Sequence, residues 1–176
     1  MKNFIILSTI ILLASWAGHV SAQPKDYGYL VKLGDMAPDF TTTTPEGQTV
    51  KLSDLRGKIV MLQFTASWCS VCRKEMPHIE EEIWKKYQSN PNFALYGIDL
   101  KESAEKTAEF AKQIPVTYPL LLDLEGDIFY SYAEQGAGVT RNVIIDRDGK
   151  IVFLTRLFKD DEFNEMKAVI AKLLGE

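Results

Sequence analysis

The sequence predicts an α/β domain, a mixed central sheet with helices on both faces and a β-hairpin toward each end. Three observations lead there. Runs of strand-like composition alternate with segments whose apolar residues recur at helical spacing. Two glycine-bearing turns, Pro45-Glu46-Gly47-Gln48 and Asp146-Arg147-Asp148-Gly149-Lys150, are each flanked by such runs. The chain closes on an amphipathic helix. With 176 residues, 46% of them hydrophobic, and a formal net charge of -4, it has the composition of one ordinary globular domain.

The elements follow in order. Met1-Lys2-Asn3 is a short basic start, Phe4 to Ala14 is almost wholly apolar, and Val20-Ser21-Ala22 ends in small residues. That is the pattern of a secretory signal over 1–22, cleaved before Gln23. The apolar stretch falls short of the ~20 residues of a comfortable membrane span, and no cysteine near the cleavage region suggests a lipoprotein. The protein is therefore expected to be exported, periplasmic if its source is Gram-negative, and membrane-anchored only if the signal is kept. A polar lead-in (23–34) precedes a single domain (35–176). Phe40–Thr44 and Thr49–Leu52 form the first hairpin, and Ser53–Lys58 connects it to a strand, Ile59–Thr65. A helix runs from Val71 to Tyr87, the Ser89–Asn92 turn ends it, and Phe93–Leu100 is the next strand. Ser103–Gln113 is a helix that Pro115 stops. Tyr118–Leu122 is a short apolar element and Ile128–Ala133 a short helix. Val143–Ile145 and Ile151–Leu154 make the second hairpin, and the last helix spans about Asp161 to Leu174.

Cysteine occurs at two positions, Cys69 and Cys72, directly after Trp68 and between the Ile59 strand and the Val71 helix. A Cys-x-x-Cys at a strand-to-helix junction reads as a thioredoxin-like redox motif. Unpaired N–H groups and the positive end of the helix dipole favour a thiolate at Cys69. Cys72, one turn on, is within reach to resolve a mixed disulfide. A structural zinc site needs about four ligands, whereas the chain offers two cysteines, His19 in the signal and His78. Covalent haem needs histidine after the second cysteine, and Arg73 stands there. An inert structural disulfide stays open, although so short a loop gains little from closure. No metal and no cofactor is expected. With no basic run or low-complexity block, nucleic acid is not an expected partner.

Several segments are similar to those of the TlpA/ResA-like exported thiol-disulfide oxidoreductases, in the AhpC/TSA group of the thioredoxin superfamily. They are Met36–Phe40, Leu52–Lys58, Phe64–Pro77 and Ile145–Ile151. The resemblance implies a thioredoxin fold with an added N-terminal β-hairpin and an insertion after the second central strand. It casts Cys69 as the attacking and Cys72 as the resolving cysteine, Trp68 as the tryptophan flanking the site, and Pro77 as the proline that kinks the first helix. Core packing is the competing reading of Trp68.

The resolving thiol needs a proton acceptor. Thioredoxins place an aspartate six residues before the first cysteine; here that residue is Gln63, which does not titrate. The resemblance offers Glu102, just after the Phe93 strand, with Asp99 as a weaker candidate and an exposed first-turn glutamate as the bland alternative. The family's cis-proline position falls at Thr140, since no proline follows Pro119. A non-proline cis bond costs roughly 2.5–4 kcal/mol, so a trans Val139–Thr140 bond is expected. Val139 and Thr140 are then the expected contacts to a bound partner strand, with the Thr140 hydroxyl near the Cys69 sulfur. His78 is expected on the helix surface.

The expected function is an exported protein-disulfide reductase, monomeric, acting on disulfide-containing exported proteins and reset by a membrane thiol-transfer reductant; the resemblance permits a part in cytochrome c biogenesis. A thiol peroxidase is the second reading, weakened because Ala66 stands where such enzymes carry Thr or Ser three residues before the cysteine. A copper-binding or redox-inert module is the third.

Overall fold

In a computed structural model that describes residues 27–176, the first hairpin is a separate two-stranded sheet: Thr41–Thr43 (β1) pairs antiparallel with Thr49–Lys51 (β2). It is shorter than its sequence pattern. Leu52 leaves the strand, is fully buried, and opens a 3-10 turn, Leu52–Leu55, inside the predicted connection. The signal segment lies outside the described residues.

The central sheet holds Ile59–Thr65 (β3), Phe93–Leu100 (β4), Leu120–Asp123 (β5), Arg141–Ile145 (β6) and Ile151–Arg156 (β7), in the order β5-β4-β3-β6-β7. β3, β4 and β5 run parallel, whereas β6 and β7 run antiparallel to their neighbours. β3 is central and buried at every position, which is why its sequence is a continuous apolar run instead of an alternation.

Ser70–Ile79 (α1) follows β3 and continues through a π-helical segment, Glu80–Trp84, into a last turn, Lys85–Tyr87 (α2). Pro77 inside α1 cannot donate to the preceding turn, and the helix widens three residues later. Ala104–Gln113 (α3) is capped by the Ser103 side chain, which accepts from Lys106 N. Asp127–Tyr132 (α4) and Asp160–Leu174 (α5) complete the fold. Arg73 of α1 lies over the Phe110 ring of α3, and His78 packs beside Phe163 of α5, so α1, α3 and α5 share one face of the sheet. Phe64, pointing to the other face, meets Phe129 and Tyr132 of α4 at 5.5 and 5.4 Å. Helices on both faces, as expected, make β3 the centre of the core.

The described part of the lead-in is tied to this body. Leu30 N–H donates to Tyr132 O, Gly34 N–H to Ile151 O, and the Tyr29 hydroxyl to Thr155 O.

Candidate active site

The end of β3 delivers Cys69 to the start of α1. Cys69 is the N-cap residue, with φ -84° and ψ 103°, and its sulfur accepts a hydrogen bond from Cys72 N–H at 3.1 Å. A cap position is where the helix leaves donors unpaired and its dipole is positive, so negative charge on this sulfur is favoured. Cys69 and Cys72 are joined as a disulfide with Cα atoms 5.3 Å apart. Cys69 is 7% exposed and Cys72 0%, so the cap sulfur is the one a partner reaches first.

Thr140, just before β6, faces the pair. Its Oγ1 lies 3.2 Å from Cys69 Sγ, as expected, and also 3.3 Å from Cys72 Sγ, a contact the sequence did not suggest. Val139 beside it is buried, and no cis peptide bond occurs among the described residues. Trp68 is 64% exposed, which excludes core packing and leaves a large apolar surface next to Cys69.

Glu102 is buried, but its hydrogen bonds go to the loop before the cysteines: Ser67 N–H and Ser67 Oγ both donate to it at 2.6 Å. Lys106 Nζ closes an ion pair at 2.5 Å. Burial opposes its charge, yet Lys106 and Ser67 together hold Glu102 below the usual carboxylate range. A carboxyl so held is a weak proton acceptor and a good anchor. Asp99, behind it, accepts from Thr107 Oγ1 at 2.6 Å; burial and the Glu102 charge raise it well above an ordinary aspartate. Arg73 secures the same loop by donating to Ser67 O at 2.7 Å.

The group that sequence reasoning missed is Glu75. It sits one turn beyond Cys72, 1% exposed, in the stripe Cys72, Met76, Ile79 that α1 turns toward the sheet. A glutamate in an apolar stripe is the signal that would have found it. Its Oε1 accepts from Asn142 Nδ2 at 2.7 Å and its Oε2 from Gln63 Nε2 at 3.3 Å. Gln63 Oε1 in turn accepts from the Tyr118 hydroxyl at 2.7 Å. Burial pushes the Glu75 carboxyl up to about 7, against two amides that favour its charged form. Gln63 does not titrate, but it holds a residue that does.

His78 is half-exposed, bonded to Glu82 and packed on Phe158. Among the described residues no cluster of three or more His, Cys, Asp or Glu is placed to hold a metal.

Residues 33–154 match the AhpC/TSA family. The chain belongs to this family. Within it, the chain is a TlpA/ResA-like member of the thioredoxin superfamily. It is 30% identical over 159 residues to the thiol-disulfide oxidoreductase ResA of Bacillus cereus, covering 86% of this chain and 87% of the relative. A candidate protein disulfide isomerase from Bacteroides thetaiotaomicron has a solution structure with a TM-score of 0.82 and 59% identity, covering 85% of this chain and 94% of that one. A candidate thiol:disulfide interchange protein DsbE from Chlorobium tepidum gives a TM-score of 0.71 at 29% identity, over 82% and 99% of the two chains. The fold common to the AhpC/TSA group and the disulfide at a helix cap make thiol-disulfide exchange the reaction class of this site.

Proposed function

We propose that this protein is an exported thiol-disulfide oxidoreductase that reduces protein disulfides through Cys69 and Cys72. The observation that carries the reading is the cap geometry: the more exposed sulfur of a bonded pair accepts a backbone N–H at a helix start. In the reduced enzyme the Cys69 thiolate attacks a substrate disulfide. A Cys69–substrate bond forms, and the other substrate sulfur leaves as a thiolate that water protonates. The Cys72 thiol then loses its proton, its sulfur attacks Cys69 Sγ, and the second substrate sulfur leaves. Two electrons have passed to the substrate, and the enzyme holds the disulfide seen here.

In this cycle Glu75 is the proton acceptor for Cys72. It is buried on the same helix, one turn away, and near 7 it exchanges a proton at neutral pH. Glu102 takes a positioning role through Ser67. Trp68 and the Val139–Thr140 segment contact the partner. Those partners are disulfide-containing exported proteins, with a membrane thiol-transfer protein restoring the dithiol. The signal over 1–22 supports export; no helix among the described residues is long and apolar enough to cross a membrane.

The test is turnover of a disulfide-bonded protein substrate by the purified chain with dithiothreitol as electron source. Activity lost in Cys69→Ser supports the reading, while peroxide consumption without disulfide reduction would replace it by a peroxidase. An equilibrium titration against glutathione fixes the direction of electron flow, since about 30 mV shifts the balance tenfold.

A further inference from the structure

We propose that the Thr140 hydroxyl is a catalytic hydrogen-bonding group of the reduced enzyme, donating to the Cys69 thiolate while accepting from the Cys72 thiol. The inference rests on the thiol-disulfide reading above and adds a role at the same site. One oxygen lies 3.2 Å from one sulfur and 3.3 Å from the other, and the residue is 3% exposed. A hydroxyl has one proton to give and lone pairs to receive. Against the disulfide it gains little, because neither sulfur carries a proton or a full charge. Reduction by a dithiol partner cleaves the S–S bond with two electrons and one proton, leaving one sulfur as thiolate and one as thiol. The hydroxyl then serves both, and the charged partner receives the stronger bond.

The helix start decides which sulfur is charged. Cys69 Sγ already accepts Cys72 N–H, so the Thr140 proton makes a second donor to the same atom. Cys72, in the first turn and fully buried, keeps its proton and presents it to the hydroxyl oxygen. Proline, which the resemblance places at this position, offers no donor of either kind.

The loop that carries the hydroxyl is pinned from two sides. Leu157, at the end of β7, donates its N–H to Thr140 O at 3.1 Å from a left-handed conformation, φ 64°. A leucine there is uncommon and strained. The Arg141 guanidinium, buried and lying over the Tyr29 ring at 4.5 Å, donates to Gly138 O at 2.9 Å. A donor held this way is set before the thiolate forms.

The experiment compares wild type with Thr140→Val, which removes the hydroxyl at nearly constant shape, and Thr140→Ser, which keeps it. The charged and titratable residues of the surrounding elements, Arg73, Glu75, Asp99, Glu102, Lys106 and Arg141, are unchanged in both. Titration of thiolate absorbance in the reduced proteins is expected to show the Cys69 transition about one pH unit higher in Thr140→Val, with Thr140→Ser near wild type. The glutathione equilibrium of Thr140→Val moves about tenfold toward the disulfide form at a pH where Cys69 is ionised. Far-ultraviolet circular dichroism of the oxidised variants confirms an intact fold. An unshifted Thr140→Val titration, or a shift that serine does not restore, overturns the proposal. Wild-type disulfide reductase activity, measured alongside, separates the outcomes. An inactive wild type defeats the functional reading, and an active wild type with an unmoved variant defeats the hydroxyl's role alone.

Discussion

Replacing Glu75 by Gln tests the buried carboxyl directly, because the raised carboxyl makes its cost to folding depend on pH. Glu75 goes from 4.5 unfolded to about 7 folded. A raised carboxyl means that the folded chain binds the proton more tightly than the unfolded one. Below 4.5 both states are protonated and the group costs nothing. As pH rises toward 7 the unfolded chain ionises first, and folding stability falls. At 1.36 kcal/mol per unit, the shift costs about 3 kcal/mol above pH 7. Glu75→Gln removes that dependence. One hydrogen bond must rearrange, since the new amide faces the Gln63 Nε2 donor, and this costs about 1 kcal/mol at every pH. The expected result is a variant slightly less stable than wild type at pH 4.5 and more stable at pH 8. Urea unfolding of both proteins, in the oxidised form, across that range is the assay. Parallel pH profiles would refute the reasoning, for they would mean that Glu75 ionises as it does in the unfolded chain. In the proposed cycle the same variant slows release of the mixed disulfide at neutral pH while leaving Cys69 alkylation unchanged.

Two further predictions concern the loop before the cysteines. Glu102→Gln removes charge from the bonds to Ser67 and Lys106 and is expected to lower stability by about 1–2 kcal/mol at neutral pH. A depressed carboxyl stabilises above its unfolded pKa, so this loss disappears as pH falls through the folded value; urea unfolding at pH 7 and pH 3 checks it. Because Glu102 is read as an anchor, its variant should keep the wild-type pH profile of disulfide reduction, and a profile that moves would restore it as the acceptor. Trp68→Ala changes an exposed ring and should shift stability by under about 0.5 kcal/mol. If Trp68 contacts the partner, KM for a protein disulfide rises several-fold while reduction by dithiothreitol is unaltered; equal KM values would remove it from the binding surface.

What was legible in the sequence is what short-range pattern controls. The β3–α1 junction reads from an apolar run, two cysteines at i and i+3 and helical spacing after them, all within one stretch of chain. Thr140 comes from the family resemblance, whose cis-proline position is reached by counting back from Ile145-Asp146, and its hydroxyl lies against the Cys69 sulfur as that placement implied. Other features lay beyond that reach. Glu75 falls in the apolar stripe of its helix, unlike the exposed acids at Glu81 and Glu82, but its partner Asn142 lies 67 positions away and no local pattern names it. Leu52 matches a strand alternation yet turns into a 3-10 segment, where its fully buried side chain joins the core. Leu157 adopts a positive φ that its own sequence does not request; its N–H is held by Thr140 O across the sheet.

The absence of a titrating group at position 63 takes on a different meaning once the network is traced. A strand residue with a carboxyl six positions before the first cysteine would titrate from β3. Here β3 supplies an amide whose oxygen is occupied by the Tyr118 hydroxyl and whose nitrogen is therefore committed to Glu75. Asn142 is committed likewise, since its Nδ2 donates to both Glu75 and Thr155 Oγ1. The two amides are fixed donors, unable to take a proton and unable to turn without breaking other buried bonds. In the proposed cycle the titrating role therefore lies on the helix, one turn beyond Cys72, and not on the sheet. Substituting Gln63 by Asp would not restore the sheet's acceptor. It would put a second buried carboxyl against Glu75, raising both, and the pair would share one proton through neutral pH.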